Sequence, residues 1–179
     1  MRATAPLAVA AALAAALSLT ACDDGSGDDT GSGTTATART GAACAIDDLD
    51  VRVDASPAPA AGDTGTVSVT VTNGGSACTL DGFPAVTLKA GDASADVPQD
   101  EAATAQKMTL DEGAAASFTV TYVRGATGAA TGLAAKTAEF ALPGASATHS
   151  FPWSYGEVAL KGDTKAPDAS VSPFQQNGD

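Results

Sequence analysis

From Cys44 onward, large apolar and polar side chains alternate with a period of two, the repeat of a strand with one face buried and one in water. In I-D-D-L-D-V-R-V-D, Leu49, Val51 and Val53 share one face, while Asp48, Asp50, Arg52 and Asp54 share the other. In G-T-V-S-V-T-V-T-N, Val67, Val69 and Val71 alternate with Thr66, Ser68, Thr70 and Thr72, and Asn73-Gly74-Gly75 follows as a turn. The scheme repeats at Val86/Leu88, Met108/Leu110, Phe118/Val120/Tyr122, Phe140/Leu142, Phe151/Trp153 and Val158/Leu160. About eight or nine short strands are predicted. The connections are rich in Gly, Pro and Asp: S-P-A-P-A-A-G-D near Ala60, A-G-D-A-S-A-D-V-P near Asp92, D-E-G before Phe118, and L-P-G after Leu142. No segment in this stretch carries a helical stripe. An all-β fold, an antiparallel sandwich that is immunoglobulin-like in a loose sense, is the expectation. Trp153 follows both Cys44 and Cys78, so the antibody arrangement of a tryptophan between two cysteines is missing.

Upstream the pattern is different. Residues 2–21 begin with Arg2 and continue as an alanine- and leucine-rich run ending in small residues, the layout of a secretory signal. The run is too short, and too quickly followed by acid, to read as a membrane span of roughly 20 apolar residues. From Asp23 to Ala43 no apolar residue is larger than alanine, so this part is expected to be a disordered tether with a reach of ~25 Å. Asp23, Asp24, Asp28 and Asp29 lie in it without the spacing of a calcium loop.

The seam Leu19-Thr20-Ala21-Cys22 resembles the bacterial lipobox, a leucine three positions before a cysteine with small residues between. The resemblance implies a diacylglyceryl group on Cys22, which becomes the first residue of the mature protein. Two acyl chains give the stable anchoring that one chain does not. The alternative is cleavage after Ala21 with a free thiol left on Cys22. If lipid consumes Cys22, only Cys44 and Cys78 remain of three cysteines. In an oxidising compartment such a pair is expected to bond, closing a loop of about 35 residues at ~4 kcal/mol in the chain-entropy model. Two separate buried thiols are the other reading, and zinc lacks further ligands at suitable spacing.

The expected division is therefore a lipoprotein signal peptide at 1–21, a lipidated tether at 22–43, a β-sandwich at 44–175 and a tail at 176–179. The stretch from Gly65 to Leu88, with T-V-T-N-G-G and then C-T-L-D-G-F-P-A-V, resembles the core motif of an uncharacterised family of secreted actinobacterial β-sandwich lipoproteins. That family also tends to place a cysteine near the start of its domain, as Cys44 stands here. The resemblance implies a fold and a location on the outer face of the cytoplasmic membrane. It implies no activity.

Composition narrows the functions. Hydrophobic residues make up 44% but much of this is alanine, and aromatics are only 4%, so the core is small and favours a covalent clasp. Nine Lys and Arg stand against 21 Asp and Glu, an acidic field that repels phosphate backbones, so no nucleic-acid partner is expected. The single histidine, His149, has no nucleophile elbow to serve and reads as a structural or surface residue. No cofactor and no metal are expected, and the chain does not read as an enzyme.

The candidate interaction surface is aromatic. Phe151, Trp153 and Tyr155 in F-P-W-S-Y-G fall on one side of a strand that Pro152 confines to a sheet edge. Phe83 sits in the D-G-F-P turn, where Gly82 is expected to supply an unusual backbone angle. These rings serve either as core or as an exposed lip for binding. The favoured function is a lipid-anchored binding module facing an envelope protein or glycan. An accessory or hydrolytic envelope enzyme and a structural spacer are the alternatives. A binding module would show a contiguous apolar or aromatic exposed patch, an enzyme a concave pocket with convergent ionisable groups, and a spacer neither.

Overall fold

The strongest alternation in the chain builds the centre of the molecule. In the computed structural model, which describes residues 41–162 and 165–177, strand β2 (Thr64–Asn73) buries Val67, Val69 and Val71 completely. It pairs antiparallel with β7 (Ala115–Val123), which buries Phe118, Val120 and Tyr122 in the same way. The register sets Val67 opposite Val120 and Val69 opposite Phe118, so β-branched and aromatic side chains meet across the ladder. Full burial of such a side chain contributes roughly 1.5–3 kcal/mol, which makes these two strands the main apolar investment of a chain with few large residues.

Around them one sheet runs β1 (Leu49–Ser56), β2, β7 and β12 (Ala169–Val171), with β13 (Gln175–Gln176) also pairing β7. A second sheet runs β10 (Thr148–Pro152), β9 (Thr137–Ala141), β4 (Ala85–Ala90) and β5 (Ala93–Val97). Two short ribbons complete it: β3 (Cys78–Leu80) with β6 (Met108–Leu110), and β8 (Gly132–Leu133) with β11 (Val158–Ala159). All of these ladders are antiparallel. The sheets meet through rings: Phe118 of the first lies edge-on to Phe140 of the second, centroids 5.2 Å apart, and to Phe174 at the same distance. This is an antiparallel β-sandwich of the immunoglobulin-like kind that the alternation predicts, and Pro152 does stand on an edge strand.

Three elements depart from expectation. The segment near Asp92 is not a connection but strand β5, folded back on β4 through Gly91-Asp92 with Ala90 opposite Ala93 and Val86 opposite Val97. Its alanines and serine give no apolar contrast, and at a sheet edge none is required. At the start of the domain, ordered pairing reaches into the expected tether. Ala42 accepts a hydrogen bond from the Thr79 amide at 2.8 Å, and Ala43 forms a parallel bridge with Thr79. At the other end Gln176 of the expected tail belongs to β13, and Asn177 donates to Ala115 at 3.1 Å. The signal peptide, Cys22 and its lipid, and the acidic cluster Asp23, Asp24, Asp28 and Asp29 lie outside the described residues.

Asn73 is more than a turn residue. Among the described residues it is the one polar or charged residue that is buried, at 1% accessibility. Its Nδ2 donates to the carbonyls of Ser76 (3.0 Å) and Leu110 (2.9 Å), and its Oδ1 accepts from the Gly75 amide at 3.0 Å. Each bond is one that a buried amide needs to offset its desolvation. Asn73 thereby ties the end of β2 to the end of β6.

Candidate functional site

Cys44 and Cys78 are joined in a disulfide that ties the start of the domain to β3. The four rings named from the sequence do not form an exposed surface. Phe151 and Trp153 are buried at 7% and 4% accessibility, and Tyr155 and Phe83 are half-buried. Gly82 does hold a positive φ of 125° in the turn before Phe83.

Two of those positions, Trp153 and Tyr155, build a locked aromatic cluster with Tyr122 of β7. Trp153 packs edge-on against Tyr122 and Tyr155, with centroids 5.1 and 5.0 Å away, and its indole N–H donates to the Gly156 carbonyl at 2.8 Å. The Tyr122 hydroxyl donates to the Tyr155 carbonyl at 2.7 Å and accepts from the Ala58 amide at 3.3 Å. Arg124 donates through Nη1 to the carbonyls of Ala58 (2.8 Å) and Pro59 (3.1 Å). Gly65 completes the fit, since a Cβ there would lie 2.6 Å from the Ala58 nitrogen and 2.7 Å from the Tyr122 ring. Burial, the neighbouring Tyr122 phenol and Asp54 push the Tyr155 phenol above its ordinary range. A recess of about 260 Å3 touches this end, but Trp153 contributes little open surface to it. Trp153 and Tyr122 are structural here, since both are buried and their polar atoms are bonded within the fold.

Among the described residues, Lys136 and Glu157 line the recess beside Trp153, and Lys161 lies 3.8 Å from Asp168. His149 is half-buried with its ring 5.6 Å from that of Phe140. Glu139 is held by Lys89 at 2.6 Å, and that hydrogen bond lowers its pKa. Among the described residues no group of three His, Cys, Asp or Glu is placed to hold a metal ion.

The larger concavity lies at the opposite end of β7. A groove of about 630 Å3 is lined by Thr104 and residues 106–109 on one side and residues 173–176 on the other. Its volume falls within the ~300–1,000 Å3 of ordinary ligand pockets. Phe174 and Pro173 are buried beneath it and Met108 is half-buried, so the floor is apolar. The rim is exposed hydroxyl and amide from Thr104, Gln106, Thr109, Gln175 and Gln176, with Lys107 the sole charged residue of the lining. Sequence reading missed this site because its walls come from segments about 70 residues apart and carry commonplace side chains. The signal available was a break in alternation, two adjacent buried residues, Pro173 and Phe174, followed by two exposed glutamines.

A disulfide-clasped antiparallel β-sandwich with an open end groove is thus the class that fold and site define. The profile of a family described as a domain of unknown function (DUF4232) matches residues 44–175, and the chain belongs to that family. No curated protein matches the chain.

Proposed function

We propose that this protein is a non-enzymatic binding module, held outside the cytoplasmic membrane by lipid on Cys22, that offers its end groove to a protein or glycan of the cell envelope. The observation that carries the reading is the groove between residues 104–109 and 173–176: accessible, apolar in the floor, and rimmed by neutral donors and acceptors. Such a mixture binds by shape and hydrogen bonding, and it presents no pair of ionisable groups with differing environments for acid-base chemistry. The surrounding charge of −12 excludes polyanions.

The test is photo-crosslinking in intact cells with the full chain carrying a benzophenone side chain at Gln106 or, for comparison, at Ser154 beside the aromatic cluster. A discrete adduct from Gln106 alone is expected, and Cys22→Ala should move the protein to the medium and abolish the adduct. No adduct, or equal adducts from both positions, would overturn the reading.

A further inference from the structure

We infer that the occupant of the groove is an extended polypeptide segment of a partner protein, added as a strand between β6 and β13. This rests on the binding reading above and deepens it. The Thr79 amide donates to Ala42, and the Thr79 carbonyl accepts from Cys44, so both point away from β6. In the β3–β6 ladder Thr79 faces Thr109, which makes this a non-hydrogen-bonded pair. The N–H and C=O of Thr109 therefore point outward from the free edge of β6.

The same argument applies across the groove. Asn177 donates to Ala115, and Gln175 stands opposite Ser117 in the same register, so the intervening pair Gln176 and Ala116 exchanges no bonds. The β2 ladder agrees, because Asn73 donates to Ala114, two residues before Ala116 in that register, which turns the backbone of Ala116 toward β2. Gln176 thus directs its own N–H and C=O away from β7. Thr109 and Gln176 both line the groove, and each brings one backbone donor and one acceptor that have no partner among the described residues.

Size and charge select the guest. A strand advances ~3.3 Å per residue, with ~4.8 Å to its neighbour and ~10 Å between layers, so each residue takes on the order of 160 Å3. A groove of about 630 Å3 holds about four residues at that density. Side chains on one face of the guest would meet Met108, Pro173 and Phe174, which suits apolar residues at alternate positions. Lys107 is complementary to a single carboxylate, while the acidic surface beyond it disfavours a run of them.

The experiment pans a random linear peptide library against the full chain, then titrates a synthetic copy of an enriched peptide while following backbone amides by NMR. Enriched sequences should alternate apolar residues beside one carboxylate. The Thr109 and Gln176 amides should shift and exchange more slowly. Methylating the peptide backbone at every second nitrogen should weaken binding by roughly tenfold or more in one register and little in the other. Lys107→Glu should weaken it by a similar factor with unchanged thermal stability. No enrichment, shifts confined to other residues, or indifference to methylation would overturn the inference. A glycan adduct from Gln106 in cells together with failed peptide binding would overturn the strand and leave the binding module standing; failure of both would remove both.

Discussion

The two ends of β7 use the same strand for opposite purposes. At its downstream end Tyr122 and Arg124 are drawn into a cluster with Trp153 and Tyr155, where ring edges and phenol, indole and guanidinium donors are matched to partners. At its upstream end β13 pairs with Ser117 and Ala116 and then leaves an open backbone edge over a groove. The difference teaches where this chain can carry specificity. With aromatics at 4%, most of the rings are consumed by packing, and the groove sets threonine, glutamine and one lysine around a floor of Met108, Pro173 and the buried Phe174. Residue types that mark interfaces in aromatic-rich proteins here mark the structural end.

The largest effect is expected from removing the centre of the locked end. Trp153→Ala deletes a nearly buried ring, both of its ring contacts and the bond to Gly156, so a loss of ~3–5 kcal/mol is expected by chemical denaturation. If Trp153 were instead a binding ring at the surface, stability would hardly change, and the contrast between the two ends would be broken.

That contrast was only half legible in the sequence. Val67, Val69, Val71, Phe118, Val120 and Tyr122 were readable because alternation of large apolar with small polar side chains has one structural solution, a strand with one buried face. The edge position of the strand carrying Phe151 followed from Pro152, whereas the burial of Phe151 did not, since parity alone leaves both core and exposed lip open. β5 was not readable, since Ala93, Ser94 and Ala95 carry no amphipathic contrast and the strand is set by its hairpin with β4. The choice between core and lip for Trp153 and Tyr155 depends on tertiary neighbours such as Tyr122, 31 and 33 positions away in the chain. The groove depends on backbone edges, of which the side-chain pattern carries only the break in alternation at Pro173 and Phe174.

A middle-sized effect tests the hydrogen bonds of the locked end apart from its packing. Tyr122→Phe keeps the ring and removes the hydroxyl, leaving the Tyr155 carbonyl and the Ala58 amide without that partner. The expected cost is ~1–2 kcal/mol in the same denaturation assay. A neutral outcome would mean that water replaces the hydroxyl, and that this end is more open than its geometry indicates.

Tyr155 gives a smaller, pH-dependent readout of the same enclosure. Its phenol is pushed up first by burial, then by Tyr122 and Asp54. A raised native pKa means that the folded protein holds this proton more tightly than the unfolded chain. The associated stability is fully present below the ordinary phenol pKa near 10 and is lost as pH rises through the higher native value. Tyrosinate absorbance should therefore show a phase above the ordinary phenol range, and Tyr155→Phe should remove that phase and flatten the alkaline fall in melting temperature. Ionisation of Tyr155 at the ordinary pH would place it in open water and weaken the distinction between the ends.

The smallest effect belongs to the groove, and its smallness is the point. Thr104 and Gln106 are exposed, and neither takes part in a ladder or in the aromatic packing. Thr104→Ala and Gln106→Ala are therefore expected to change unfolding free energy by no more than about 0.5 kcal/mol, the range of ordinary surface substitutions. Additivity in the double variant is also expected unless the two side chains share a partner. The neutrality separates a surface kept for contact from one kept for folding, because the same variants should weaken the peptide affinity while melting like the parent. If either substitution costs as much as Tyr122→Phe, this wall of the groove is part of the structural frame, and the functional difference between the two ends of β7 disappears.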